Sequence, residues 1–139
     1  MRLKDRGIRE RRKLSLLNCG YNQNISDEGI KDMKDMRRLK CGYNENIADT
    51  GIRDMKEMRE MICGVNENIT DDGIIAMKKL RYLKCGCSEG ITDKGIREMK
   101  EMRYLDCGYD ESITDDGIRE MKKLKHFYGK FQIILDVPM

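Results

Sequence analysis

The chain has 139 residues, 38% of them charged, and a formal net charge of +3 from 28 Lys+Arg and 25 Asp+Glu, a length that allows one modest domain. No apolar run reaches the roughly 18 residues needed to span a bilayer. The opening "MRLKDRGIRERRKL" has no apolar h-region, so no secretory signal is visible and an intracellular, cytoplasmic protein is expected. A mean hydropathy of −0.73 leaves two options: partial disorder, or a small apolar set used at fixed places.

The spacing favours the second. Cys19, Cys41, Cys63, Cys85 and Cys107 follow one another at 22-residue intervals without insertion. Let the cysteine be position six of a unit. Residues 1–13 then form an N-terminal half repeat that serves as a cap. In it Leu3, Asp5, Gly7 and Ile8 fall at positions twelve, fourteen, sixteen and seventeen, and Arg11 takes position twenty. Residues 14–123 form five 22-residue repeats of one domain spanning 1–139. Positions four and six alternate with mostly polar neighbours, as Leu39 and Cys41 do, which predicts a short strand. Position nine is Asn22, Asn44, Asn66, Ser88 and Asp110, and position twelve is always isoleucine. Isoleucine at seventeen, methionine at twenty and the next position one lie three apart, which predicts a helix face. Ser26, Thr70, Thr92 and Thr114 stand where N-caps stand, while Ala48 predicts a weaker cap in its repeat. Residues 124–139 are a partial repeat and C-terminal cap. There Gly129 replaces the cysteine, and "KFQIILDVPM" predicts a strand or lid over the last repeat, or an edge that pairs with another chain. The phrase recurs because a single unit buries too little to fold alone.

The order L-x-x-L-x-C-x-x-N followed by a return segment, as in Met36 to Asn44, resembles the leucine-rich repeat. "ITDDGI" is similar to the I-T-D-x-G-L phrase of its cysteine-containing subclass, and the likeness covers nearly the whole chain. The chain differs from that subclass in its 22-residue period and in carrying cysteine at position six, with Asn at position nine. The resemblance implies an α/β solenoid, a horseshoe with a parallel β-sheet on the concave side and helices on the convex side. Similar repeats occur in substrate receptors of ubiquitin ligases. The sequence shows no F-box or other recruiting segment, so that role is not carried over.

The chemistry-bearing residue types read mostly as packing. Five of the six cysteines take the inward position six and act as reduced apolar fillers. Alternation turns Cys87 away from Cys85, onto the exposed strand face. Nine of the eleven methionines fall at positions one, four and twenty and read as core. The Asn row at nine reads as a donor set for loop backbone groups. The single histidine is His126, with no Cys–His or Ser–His spacing and no P-loop. No catalytic residue, metal or cofactor is expected, and the chain reads as a non-enzyme.

The varying residues lie elsewhere. In such a solenoid positions two, three, five and eight face the concave side. They hold all six tyrosines, with eight Lys/Arg against two Asp/Glu. Arg37, Arg59, Arg81, Arg103 and Lys125 form a like-charge stripe at position two, spaced by roughly 5 Å. Glu45, Glu67, Glu89 and Glu111 form the opposite margin. Positions three and five do not repeat. Tyr and Arg are enriched at binding hot spots. Tyr43, Tyr82, Tyr104, Tyr109 and Tyr128 are therefore the expected anchors, with Arg37, Arg38, Arg59, Arg81 and Arg103 reading acidic groups of a protein partner. The structural alternative stacks the tyrosines along the solenoid and pairs the arginines with Asp35, Glu57 and Glu101. Two other functions fit the sequence: nucleic-acid or polyanion binding by the basic and aromatic face, and homo-oligomer assembly through the ends or the C-terminal segment.

Overall fold

Positions three to five of every unit are extended, and positions fourteen to seventeen make one turn of helix. The computed structural model describes residues 4–129. The elements are α1 (Asp5–Arg9), β1 (Leu16–Asn18), α2 (Asp27–Ile30), β2 (Arg38–Lys40), α3 (Asp49–Ile52), β3 (Glu60–Ile62), α4 (Asp71–Ile74), β4 (Tyr82–Lys84), α5 (Asp93–Ile96), β5 (Tyr104–Asp106), α6 (Asp115–Ile118) and β6 (His126–Tyr128). The six strands form one parallel sheet in chain order. The register steps by one full unit each time, so that Leu39 pairs with Met61, Met61 with Leu83, and Leu83 with Leu105.

The three-residue spacing has a different cause from the one expected. A continuous helix face does not form, because α2 to α6 are single four-residue turns. Buried residues instead hydrogen-bond back to the buried residue three positions earlier. In the second unit the N–H of Asn44 donates to Cys41 O at 3.2 Å and that of Ile47 to Asn44 O at 3.2 Å. The N–H of Met55 donates to Ile52 O at 2.9 Å, and that of Met58 to Met55 O at 3.3 Å. Consecutive tight turns thus carry apolar side chains inward with a period of three, which sequence alone does not separate from a helix.

The caps follow the sequence with one exception. Thr70, Thr92 and Thr114 accept from the N–H groups of Asp72, Lys94 and Asp116 at 3.2–3.3 Å, and Ala48 has no side-chain cap. Ser26 does not cap α2; its hydroxyl donates to Asp5 instead. That bond belongs to a ladder the sequence reading missed. The carboxylate at position fourteen reaches the next unit: Asp49 Oδ1 accepts from the Thr70 N–H at 2.7 Å and its Oδ2 from the Thr70 hydroxyl at 2.5 Å. Asp71 and Asp93 hold Thr92 and Thr114 in the same way. The glycine at position sixteen makes room for it. A Cβ on Gly73 would run into the Asp49 carboxylate and lie 3.1 Å from Asp49 Cα.

Leu/Met at positions one and four, Cys at six, and Ile and Met beyond form one continuous core. The five core thiols are free and buried. Burial pushes Cys19 up to about 11 and Cys63 and Cys107 up to about 12, so they stay protonated and inert. Position nine does what the sequence predicts. Asn44 Nδ2 donates to the carbonyls of Cys19, Asn22 and Ile25 at 2.9–3.1 Å, and Asn66 repeats the pattern one unit on. The C-terminal strand or lid expected from "KFQIILDVPM" lies outside the described residues.

Candidate functional site: the strand face

Strand alternation leaves positions three and five outward. Position three reads Leu16, Arg38, Glu60, Tyr82, Tyr104 and His126 in register across the sheet. The Tyr82 and Tyr104 rings stack with centroids 4.4 Å apart and planes 8° apart. His126 and Tyr128 tilt against Tyr104 at 5.8 and 5.6 Å. Lys84, from position five, places its Nζ 5.9 Å from the centroids of both stacked rings, the range of a cation–π contact. The neighbouring Tyr82 side chain raises the ammonium of Lys84 above its ordinary value, keeping it charged. Burial raises the Tyr104 phenol, and Lys84 partly offsets this.

Position eight is not part of the strands. Tyr21, Tyr43, Val65 and Cys87 sit just past them at φ 59–65°, the left-handed region that non-glycine residues rarely take. Cys87 is exposed as expected, but this turn, and not strand alternation, puts it there. Tyr21 and Tyr43 stack at 4.6 Å. In the fifth unit the left-handed residue moves to Gly108, at φ 53°. Tyr109 thereby leaves the row and stands 80% exposed beside Glu89 and Glu111. The expected anchors are therefore not one aromatic strip. Tyr82 and Tyr104 stack beside Lys84 with Tyr128 tilted against Tyr104, Tyr43 pairs with Tyr21, and Tyr109 lies apart.

The arginines divide too. Arg38 pairs with Glu60 at 3.2 Å on the open face. Among the described residues, Arg37, Arg59, Arg81 and Arg103 make no ion pair within 4.0 Å. Two of the three carboxylates suggested as their structural partners are taken by lysines: Glu57 meets Lys79 at 2.7 Å and Glu101 meets Lys123 at 2.9 Å. The Lys79 and Lys123 hydrogen bonds hold these two carboxyls below their ordinary range, with the stripe arginines adding to it. Arg37, Arg81 and Arg103 remain exposed, whereas Arg59 is half-buried with its Nε covered and unpartnered.

Between positions five and eight runs a groove of about 490 Å³. Gly20, Gly42, Gly64 and Gly86 line it, with Lys40, Ile62 and Lys84 along one side and Tyr21, Tyr43 and Val65 along the other. A second recess lies at Glu89, Tyr109 and Asp110. There Asp110 stands at position nine; its Oδ1 accepts from the Ser112 N–H at 2.9 Å, while its buried Oδ2 has no hydrogen-bond partner among the described residues. Among the described residues no group of three or more His, Cys, Asp or Glu is placed to hold a metal ion. No described helix is long and apolar enough to cross a membrane.

No protein-family model and no curated protein matches the chain in sequence. Solved structures match its fold. An internalin (inlF) from Listeria monocytogenes superposes with a TM-score of 0.71 at 21% identity, over 88% of this chain and 36% of its own. TLR13, in its complex with ssRNA13, superposes with a TM-score of 0.62 at 14% identity, over 91% of this chain and 20% of its own. Internalin C2 from Listeria monocytogenes gives 0.61 at 12% identity, over 91% of this chain and 65% of its own. All three are leucine-rich-repeat proteins. The chain folds as a leucine-rich-repeat solenoid. It spans about a third of the length of the first internalin, 36%. On this leucine-rich-repeat scaffold the strands form the concave side, so both the Tyr82–Tyr104 cluster and the glycine-floored groove open onto it.

Proposed function

We propose that this solenoid is a non-catalytic recognition module that binds a protein partner through its strand face. The observation that carries this is the Tyr82–Tyr104 stack, with Lys84 over both rings and His126 and Tyr128 tilted against Tyr104. It sits on rows that do not repeat, next to rows in which every unit makes the same contacts. Stacked rings with an adjacent cation present a large, pre-ordered contact area at little entropic cost, the make-up of an interface anchor. Arg37, Arg81 and Arg103, without ion pairs among the described residues, supply charge at the rim for acidic groups, where such residues steer association. Catalysis has no support in the chemistry: the core thiols are held protonated, and His126 lies against Tyr104. The internalin neighbours add the fold alone. The test is a pull-down from the native source with wild type and a Tyr82→Ala, Tyr104→Ala double variant. The reading predicts a partner that the wild type retains and the double variant loses. Equal recovery of every partner would remove it.

A second reading, single-stranded nucleic acid, draws on the same stacked tyrosines beside Lys84 and on a neighbour solved as a complex with ssRNA13. Bases stack on such rings with roughly 1–3 kcal/mol each, and binding falls steeply with salt. Against it, Arg38 is neutralised by Glu60, and Asp106 borders the cluster. Anisotropy of a labelled oligonucleotide across a salt series separates the two.

A further inference from the structure

The groove floor is made of backbone. At its two flanks the solenoid fills its own donors. The Gly20 N–H donates to Asn18 Oδ1 at 3.3 Å, and the Gly108 N–H donates to Asp106 Oδ1 at 3.0 Å. In both cases the position-five side chain of the same unit bends over the glycine at position seven. In the three units between, position five is Lys40, Ile62 and Lys84, none of which offers an acceptor. Among the described residues the N–H groups of Gly42, Gly64 and Gly86 have no acceptor. These glycines line the open groove, so their donors face the side from which Asn18 and Asp106 reach their own.

Three unfilled donors in a row lie beside two ammonium groups. Lys40 has no carboxylate within ion-pair distance among the described residues, and neither has Lys84. The complement of such a row is a carboxylate, the group with which Asp106 already satisfies Gly108. Gly42 to Gly86 covers two unit spacings, about 10 Å at the usual separation of neighbouring strands and the reach of about three extended residues. The aliphatic Ile62 and Val65 between the lysines accept an apolar side chain.

We propose that this groove docks an extended acidic segment of the partner protein, whose Asp or Glu carboxylates accept from the N–H groups of Gly42, Gly64 and Gly86 and pair with Lys40 and Lys84. The inference rests on the protein-recognition reading and names the chemistry of the partner.

The probe is a synthetic peptide of alternating glutamate and valine, titrated into the full chain and followed by backbone amide NMR. Its glutamine counterpart serves as the neutral control. The amides of Gly42, Gly64 and Gly86 shift, while those of Gly20 and Gly108, already bonded to side chains, stay put. The glutamine peptide binds at least about tenfold more weakly. A Lys40→Asn, Lys84→Asn variant copies the Asn18–Gly20 arrangement, filling two donors internally and removing both cations. It weakens the glutamate peptide at least about tenfold with an unchanged circular dichroism spectrum. Shifts confined to Tyr82 and Tyr104 overturn the groove and leave the strand-face reading standing. Inorganic phosphate reproducing the whole pattern with equal affinity also overturns it, since a bare anion site needs no peptide. Should the Tyr82→Ala, Tyr104→Ala variant keep every partner while the glycine shifts appear, the groove survives and the aromatic reading fails.

Discussion

Two rows run along the solenoid under opposite rules. At position fourteen, Asp5, Asp27, Asp49, Asp71 and Asp93 all reach into the following unit and accept the N–H of its thirteenth residue. At position three, residues held in the same regular register make a salt pair (Arg38 with Glu60), a ring stack (Tyr82 with Tyr104), or neither, as with Leu16. The backbone spacing is identical in both rows. A row becomes uniform where each side chain must satisfy its neighbour's backbone, and it is free to vary where the side chain faces outward. Uniformity here marks folding, and variety marks the surface that folding leaves free.

The largest effect expected of a polar side chain breaks the uniform side. Asn66→Ala removes the donor to three carbonyls and leaves the Asn68 N–H without its 3.1 Å acceptor. Each buried group left unpaired costs about 1–3 kcal/mol. Urea denaturation should show a loss of about 3 kcal/mol, partly moderated because some of these carbonyls also accept backbone bonds.

Asp110 is a natural break in the same row. Its Oδ2 stands where Asn44 and Asn66 present an N–H. The register carries it toward the carbonyls of Cys85, Ser88 and Ile91, and a carboxylate has nothing to donate to them. Burial raises its pKa, and the nearby Glu89 and Asp71 carboxylates push the same way. With the folded value above the unfolded one, the stabilising contribution of the protonated acid is complete below the unfolded pKa, near 4. It is lost as pH rises through the folded value. Asp110→Asn donates at every pH. It should raise stability at neutral pH by about 1–3 kcal/mol, with an advantage that shrinks on acidification. A constant advantage from acid to neutral pH would mean that the proton plays no part.

The ladder at position fourteen offers a smaller gain. Ala48 gives Asp27 its N–H at 2.8 Å but no hydroxyl, where Asp49 also holds the Thr70 hydroxyl. Burial raises the Asp27 carboxyl, and the Ala48 N–H offsets part of this. Ala48→Thr should restore the hydroxyl and the cap of α3, adding about 1 kcal/mol in the same denaturation experiment.

Much of this was legible in the sequence, for a physical reason. Stacking requires each unit to meet an identical neighbour, so Cys at six, Asn at nine and Ile at twelve announce the register through repetition. The extent of helix was not legible, because turns and helices both place apolar residues three apart. The reach of the position-fourteen aspartates was also hidden. An acidic residue after Ser or Thr reads as an ordinary helix start, and only the glycine two residues on in the next unit hints at a neighbour's carboxylate. The split of the tyrosines depended on which residue takes the left-handed turn. That choice passes from position eight to Gly108 in the fifth unit, with no local sign of it in the residues, since glycine occupies position seven in every repeat.

The smallest stability effect tests the variable side most directly. Tyr82 and Leu83 are consecutive in β4 and sit in the same register, pairing with Tyr104 and Leu105. They differ in the face they present. Leu83 is wholly buried, so Leu83→Ala should cost about 2–5 kcal/mol. Tyr82→Ala removes a half-buried ring whose main contact is the Tyr104 stack, and such pairs contribute about 0.5–1.5 kcal/mol. Its cost should fall at the low end of that range. A double-mutant cycle with Tyr104→Ala should recover most of it as coupling between the two rings. If Tyr82→Ala instead destabilised the chain as much as Leu83→Ala, the stack would be a structural element like the Asn row, and its departure from the repeat would need another explanation. A small cost with a full coupling term leaves the rings ordered by each other and free on their outer side, which is the state a recognition surface requires.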